Sequence, residues 1–188
     1  MSKSKISSQT LALGAMFTAI VVVLQLLGSF IRFGPFSISL VLVPIVIGAA
    51  MCGPFIGAWL GLVFGITVLI SGDAAPFLAV SVPGTIITVL LKGALCGLCA
   101  GLVYTALNNT NKYLAVLAAA IVCPIVNTGV FLLGCLIFFM PTITEWANGA
   151  PVWKYMLLGL VGGNFLFEVG INVVLSSVII RIINIFKK

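Results

Sequence analysis

Three polar side chains recur at four-residue spacing in an apolar segment near the end of the sequence. Within "GNFLFEVGIN" (163–172) they are Asn164, Glu168 and Asn172. Four residues of α-helix make nearly one full turn, so these side chains share one helix face over about 12 Å. An ionisable group inside a membrane segment is costly and usually faces a bundle interior or a wet cavity. The stripe therefore predicts either hydrogen bonds between helices or the polar wall of a ligand cavity.

Lys92 is the natural counterpart of this stripe, because it also lies within an apolar segment. If both segments are membrane helices, Lys92 and Glu168 differ in depth by about 7 Å, which a lysine side chain can span. Two interpretations stay open: the charges offset each other's burial cost, or Lys92 meets a carboxylate or phosphate of a ligand. Asn127, three residues after Pro124, adds another interior amide. Together these residues predict a pocket for a small, polar but partly apolar molecule.

The sequence offers little for catalysis. It contains no His, which removes Ser–His and Cys–His nucleophile pairs and His-based zinc sites. The three acids, Asp73, Glu145 and Glu168, are isolated and predict no metal cage. The segment "GPFIGAWLG" lacks the Lys–Ser/Thr end of a phosphate-binding loop, and the five cysteines are best interpreted as small packing residues. We expect no enzyme and no metal or cofactor.

The elements that must position these residues are membrane helices. The chain has 188 residues, of which 62% are hydrophobic and 6% charged, whereas a soluble domain carries about 25% charged residues. Continuous apolar runs of about twenty residues fit spanning helices better than the alternating strands of a barrel. The sequence predicts an all-α integral membrane protein with one domain over 1–188. Its six transmembrane helices are expected at about 9–31, 38–51, 54–70, 85–107, 113–139 and 155–185.

The distribution of cations predicts the orientation of these helices. The net charge of +6 is better explained by the excess of Lys and Arg in cytoplasmic segments than by nucleic-acid binding. Six helices place Lys3, Lys5, Lys112, Arg181, Lys187 and Lys188 on one side and Arg32 and Lys154 on the other, so both termini are expected in the cytoplasm. The turn at 32–37 and the long non-helical connections at 71–84 and 140–154 are then outside. The predicted pocket faces outward, below these connections.

A face of small residues lies along the first predicted helix. Ala12, Ala15 and Ala19 follow at i, i+3 and i+7 in "ALGAMFTAI". Small residues let helix backbones approach closely in lipid. This face therefore predicts either close packing within the bundle or docking of another membrane subunit.

In these features the chain resembles the substrate-binding S subunits of energy-coupling factor (ECF) vitamin transporters. The resemblance covers nearly the whole chain and rests on three stretches. They are "ALGAMFTA" in the first helix, "FGPFSISLVLVPIVIGAAMCGPFIGAWLGLVFG" (33–65), and "GNFLFEVGINVVLSSVIIRII" in the last helix. The resemblance implies a multi-pass protein of the bacterial cytoplasmic membrane, without enzymatic activity, that captures a vitamin from outside. It also implies docking of the alanine face on a membrane T subunit, which works with two ATP-binding cassette ATPases.

The resemblance also suggests a substrate. "GPFSISLVLVPIVIGAAMCGP" is most similar to the pantothenate-type group of these subunits. It implies that Lys92 or Arg32 pairs with the pantothenate carboxylate and that Asn127, Asn164 and Asn172 bond its amide and hydroxyls. Riboflavin, folate and cobalamin remain alternatives, as does a structural or assembly membrane protein without a ligand.

Overall fold

The computed structural model describes residues 8–29, 32–33, 36–37 and 40–186, and it is built almost entirely from helices. The helices are α1 (Ser8–Gly28), α2 (Leu42–Cys52), α3 (Pro54–Ser71), α4 (Ala75–Leu78), α5 (Val82–Leu107), α6 (Lys112–Gly134), α7 (Met140–Trp146), α8 (Val152–Lys154) and α9 (Gly162–Phe186). Two π-helical segments, Cys135–Phe139 and Tyr155–Leu160, precede α7 and α9. A small antiparallel hairpin pairs β1 (Arg32–Phe33) with β2 (Phe36–Ser37).

Five segments within the described residues are long and apolar enough to cross a membrane. They are Ser8–Gly28, Pro54–Ser71, Val82–Leu107, Lys112–Trp146 and Gly162–Ile183. The apolar helix α2 has only 11 residues, fewer than the roughly 20 that a straight span needs. The chain is therefore an all-helical, multi-pass membrane protein. That α2 is a sixth span, and that both termini are cytoplasmic, stay predictions.

The structure corrects the three predicted outer connections. Residues 32–33 and 36–37 form the hairpin rather than a plain turn, and the connection after α3 contains α4, with α5 beginning at Val82. The segment at 140–154 is not a loop, because helix continues to Trp146. Pro141 is tolerated there because it lies in the first turn of α7, where its missing N–H would have no helical partner.

Helices α3 and α5 pack backbone against backbone along a row of glycines, which we call the glycine seam. Its members are Gly57, Gly61 and Gly65 on α3 and Gly93, Gly97 and Gly101 on α5. A Cβ atom on Gly61 would meet the carbonyl oxygen of Gly93, and one on Gly65 would lie 2.8 Å from the carbonyl oxygen of Val89. Small residues at four-residue spacing permit this approach, so the seam fixes α5 against α3.

The apolar core divides into a main cluster and a smaller one. The main cluster joins α1, α2, α3, α5, α6 and α9 and includes Val21, Leu60 and Ile179, all with 0% exposure. The smaller cluster consists of Phe77, Cys135, Phe139, Ile143, Met156 and Leu160. Because the smaller cluster is built from α4, the π-helical segments and α7, these irregular elements form a second packed layer rather than loose connections.

Candidate functional site

A cavity lies between the two apolar clusters. Phe64, Val68 and Val89 of the main cluster and Phe77, Phe139 and Leu160 of the smaller cluster all line it. The empty space within it, counted to its open mouth, is about 760 Å³. Small-molecule sites usually combine apolar walls with a few polar groups.

The polar groups of this cavity come from five different parts of the fold. They are Gln25 on α1, Asp73 in the turn before α4, Thr85, Thr88 and Lys92 on α5, Asn127 and Thr128 on α6, and Asn164 and Glu168 on α9. Gln25, Thr88, Asn127 and Glu168 are each at least 95% buried. So many polar groups converging in an apolar bundle would be destabilising unless they serve a ligand or one another.

Lys92 is the one cation among the described residues that line the cavity. Its Nζ atom lies 5.5 Å from the ring centroids of both Phe64 and Phe131, within the range of cation–π attraction. Two carboxylates, Asp73 and Glu168, line the same cavity. The ammonium is thus held by two ring faces and by charge, in a position where an anionic ligand group can reach it.

Three buried side-chain oxygens in the cavity have no hydrogen-bond partner among the described residues: Gln25 Oε1, Thr88 Oγ1 and Asn127 Oδ1. Leaving a buried polar group unsatisfied costs about 1–3 kcal/mol. Native proteins rarely accept this cost, and most exceptions have an explanation such as a bound water, an ion or a functional role. These three oxygens are therefore acceptors that water or a ligand with hydrogen-bond donors can satisfy.

Thr88 differs from other threonines in these helices. Thr18, Thr67, Thr85, Thr105 and Thr144 each donate the hydroxyl to the carbonyl four residues earlier, at 2.7–2.9 Å. The Thr88 hydroxyl makes no such bond. Its side chain occupies space left by Gly134 on α6, where a Cβ atom would meet Thr88 Oγ1 and Cγ2. The hydroxyl therefore lies against α6 at Gly134 instead of bonding to its own helix.

Gln25 and Asp73 form a hydrogen-bonded unit on another wall. Gln25 Nε2 donates to Asp73 Oδ2 at 2.8 Å, and Ser71 Oγ donates to the same oxygen at 3.1 Å. The unit ties α1 to the turn between α3 and α4, and it fixes the carboxylate with donors from two elements.

An aromatic cluster lies beside the polar groups. The Phe77 ring packs edge-to-face on Phe131, Phe139 and Trp146, with centroids 5.1–5.6 Å apart. Phe139 ends the first π-helical segment, and π-helical turns are frequent at functional sites. These rings supply a rigid apolar wall for the non-polar part of a ligand.

The structure brings together most of the residues predicted to bind the substrate. Lys92, Asn127, Asn164 and Glu168 all line the cavity. Asn172 does not line it, and its Nδ2 instead donates to the Glu168 carbonyl at 2.8 Å. The side chain of Arg32 lies outside what the structure describes, so its predicted role stays a prediction.

Sequence reasoning missed Gln25, Asp73 and Thr88. Gln25 carried a signal, because it is a polar residue within the apolar run "VVVLQLLG". Asp73 is one of only three acids in the chain. No sequence signal distinguishes Thr88 from the other threonines, since its role depends on the space at Gly134.

The alanine face of α1 lies on the outside of the bundle. Ala12, Ala15 and Ala19 are all exposed. Ala15 borders an apolar groove between α1 and α3, in which Trp59 Nε1 donates to Thr18 Oγ1 at 3.2 Å. The three alanines are therefore not buried by the described residues, and a neighbouring subunit or lipid can reach them.

No group of three or more His, Cys, Asp or Glu among the described residues is arranged to hold a metal ion. The described residues of this site thus offer hydrogen bonding, one cation and apolar contact. Such a set suits recognition and release of a small organic molecule.

The sequence of the chain matches known proteins. The family model "ECF transporter, substrate-specific component" matches residues 9–180. The chain is 31% identical over 197 aligned residues to the pantothenic acid transporter PanT of Lactococcus lactis subsp. cremoris (strain MG1363), covering 96% of this chain and 95% of that protein. No solved structure gives a significant match. The chain belongs to the family of substrate-specific components of ECF transporters.

Proposed function

We propose that this protein is the pantothenate-binding component of an ECF importer. The observation that carries the proposal is the set of three buried oxygens without partners beside a single cation in one cavity. Pantothenate has a carboxylate, an amide N–H and two hydroxyls, together with a geminal dimethyl group. It therefore offers an anion for Lys92, hydrogen-bond donors for the oxygens, and an apolar part for the phenylalanine rings.

The charge balance of the cavity favours one orientation of such a ligand. Two carboxylates, Asp73 and Glu168, line the same space as Lys92. A ligand carboxylate is repelled by both acids and attracted only by the ammonium, whereas hydroxyl and amide donors are attracted by carboxylates and by unpartnered oxygens. The carboxylate end is thus assigned to Lys92 and the hydroxyl end to the remaining polar groups.

The family supports a further part of the proposal, concerning partners and location. A substrate-specific component works with other subunits, so we propose that the exposed alanine face of α1 docks on a membrane T subunit served by two ATP-binding cassette ATPases. The protein would lie in a bacterial cytoplasmic membrane with both termini inside. It would capture its ligand from outside and deliver it inward with this module.

Isothermal titration of the purified protein with pantothenate tests the proposal. We expect one-to-one binding, and weaker binding of panthenol, the alcohol that lacks the carboxylate, by about 100-fold because a charge-assisted hydrogen bond contributes about 1.5–3 kcal/mol. Riboflavin, folate and cobalamin serve as comparison ligands. Binding of one of them but not of pantothenate would assign another vitamin, and no heat with any of them would contradict a vitamin-binding function.

A further inference from the structure

The Gln25–Asp73 unit combines two properties. One amide atom, Nε2, is fixed by a hydrogen bond to Asp73, whereas the other, Oε1, is buried without a partner. Gln25 has an exposed fraction of 2% and lines the cavity.

The bond to Asp73 determines which way the amide points. Turning the amide over would place its oxygen against the carboxylate of Asp73, where two acceptors repel each other. The oxygen is thereby held away from Asp73, on a side chain that lines the cavity. Asn127 Oδ1 is likewise buried without a partner among the described residues.

The elements around the unit hold it in place. Gln25 is the one polar side chain in the buried stripe of α1, which also contains Phe17 and Val21 at four-residue spacing. Asp73 is oriented by a second donor, Ser71 Oγ at the end of α3. An acceptor on a packed helix, oriented by a second residue, is the arrangement that gives precise recognition.

We propose that Gln25 is a specificity-determining residue whose Oε1 accepts a hydrogen bond from a hydroxyl of the ligand, and that Asp73 is the positioning residue that orients it. This inference rests on the proposed function and adds the residue that reads the hydroxyl end of the ligand. A site built to accept a hydroxyl donor rejects an analogue without it, because the buried acceptor is then left unpaired.

A cross between protein variants and ligand analogues tests the inference. Affinities of the wild-type protein, Gln25→Leu and Lys92→Met are measured by calorimetry for pantothenate, panthenol and the two analogues in which one hydroxyl is replaced by hydrogen. The wild-type protein should bind one deoxy analogue about 10- to 100-fold more weakly than pantothenate. Gln25→Leu should bind both with similar affinity, while still preferring pantothenate to panthenol.

Lys92→Met should show the reverse pattern, losing the preference over panthenol and keeping the preference over the deoxy analogue. Val21→Ala, one turn away on the same buried stripe and not in the cavity lining, is the control for a general effect on α1. Asp73→Asn is a second variant in case Gln25→Leu does not fold. It should weaken discrimination of the hydroxyl without abolishing pantothenate binding.

Two results would overturn the inference while leaving the proposed function intact. One is a Gln25→Leu protein that keeps full discrimination against both deoxy analogues. The other is a Gln25→Leu protein that loses affinity for every ligand by the same factor. Such a uniform loss, of the kind a structural change at Val21→Ala would cause, would mean that Gln25 has only a structural role. A wild-type protein that does not bind pantothenate would overturn both proposals together.

Discussion

The two sides of α5 show opposite ways of packing a membrane helix. On one side, Gly93, Gly97 and Gly101 bring its backbone against α3, with no space for even one added carbon. On the other, Thr88 and Lys92 border a cavity in which polar atoms lack partners. In lipid, helices associate through van der Waals contact and hydrogen bonds rather than through hydrophobic exclusion. The glycine seam supplies the contact, and this allows the cavity side to be less well satisfied.

The largest effect is expected from breaking the seam. Gly61→Ala places a Cβ atom against the Gly93 carbonyl oxygen, and the clash is with backbone, which cannot rotate away. Overpacking typically costs 1–3 kcal/mol and sometimes more, so we expect a large fall in melting temperature or loss of folded protein. Thermal unfolding in detergent measures it.

Gly129→Ala on α6 is the matched control, because a Cβ atom there has no neighbour within 4 Å. It should be neutral or stabilise the helix by up to about 1 kcal/mol. Equal melting temperatures for Gly61→Ala and Gly129→Ala would show that the seam can open.

The next largest effect is expected from a substitution on the cavity side of α5. Lys92→Met should lower pantothenate affinity about 100-fold, since it removes a charge-assisted bond of about 1.5–3 kcal/mol. If Lys92 serves the ligand rather than Glu168, the substitution should also leave the unliganded protein as stable as wild type, because no ion pair within the bundle is broken. Calorimetry and thermal unfolding of the same preparation separate the two quantities.

A cycle with Glu168→Gln resolves whether Lys92 serves Glu168 or the ligand. Strong coupling of the two substitutions in the stability of the unliganded protein would identify an ion pair within the bundle. Coupling that appears only in ligand affinity would identify two groups that address the ligand.

A smaller effect is expected at the contact between Gly134 on α6 and Thr88 on α5. Gly134→Ala should force the Thr88 side chain to turn, because the new Cβ atom would meet its Oγ1 and Cγ2 atoms. The Thr88 hydroxyl would change its position, and if it bonds to the ligand, affinity should fall about 10-fold for one neutral hydrogen bond. Thr88→Val gives the same test without a clash, and unchanged affinity in both variants would remove Thr88 from the site.

The smallest effect on binding is expected on the outer face of α1. Ala15→Trp and Ala19→Trp enlarge exposed positions, so ligand affinity should stay within about twofold of wild type, as for surface substitutions. If this face docks another subunit, vitamin uptake by cells should nevertheless be lost. Binding that falls together with uptake would show instead that the face supports the cavity.

The sequence predicts the cavity side of α5 better than it predicts the glycine seam. Buried charges and amides such as Lys92, Asn127 and Glu168 stand out in an apolar chain, because burying them is costly, and they do meet in one cavity. The loop predicted across 140–154 was wrong over Met140–Trp146, because helix resumes after the π-helical turn with Pro141 in its first turn. Thr88 was missed because a threonine hydroxyl usually bonds to its own helix, and only the neighbouring Gly134 shows otherwise.

The separation of the two faces of α5 has a consequence for how such proteins diversify. Thr88 and Lys92, which line the cavity, are different residues of α5 from Gly93 and Gly97, which pack against α3. A substitution at Lys92 can therefore change which molecule is selected while the glycine contacts stay in place. A bundle of this kind can therefore acquire new ligands one residue at a time, and the same property makes it a tractable starting point for engineered receptors.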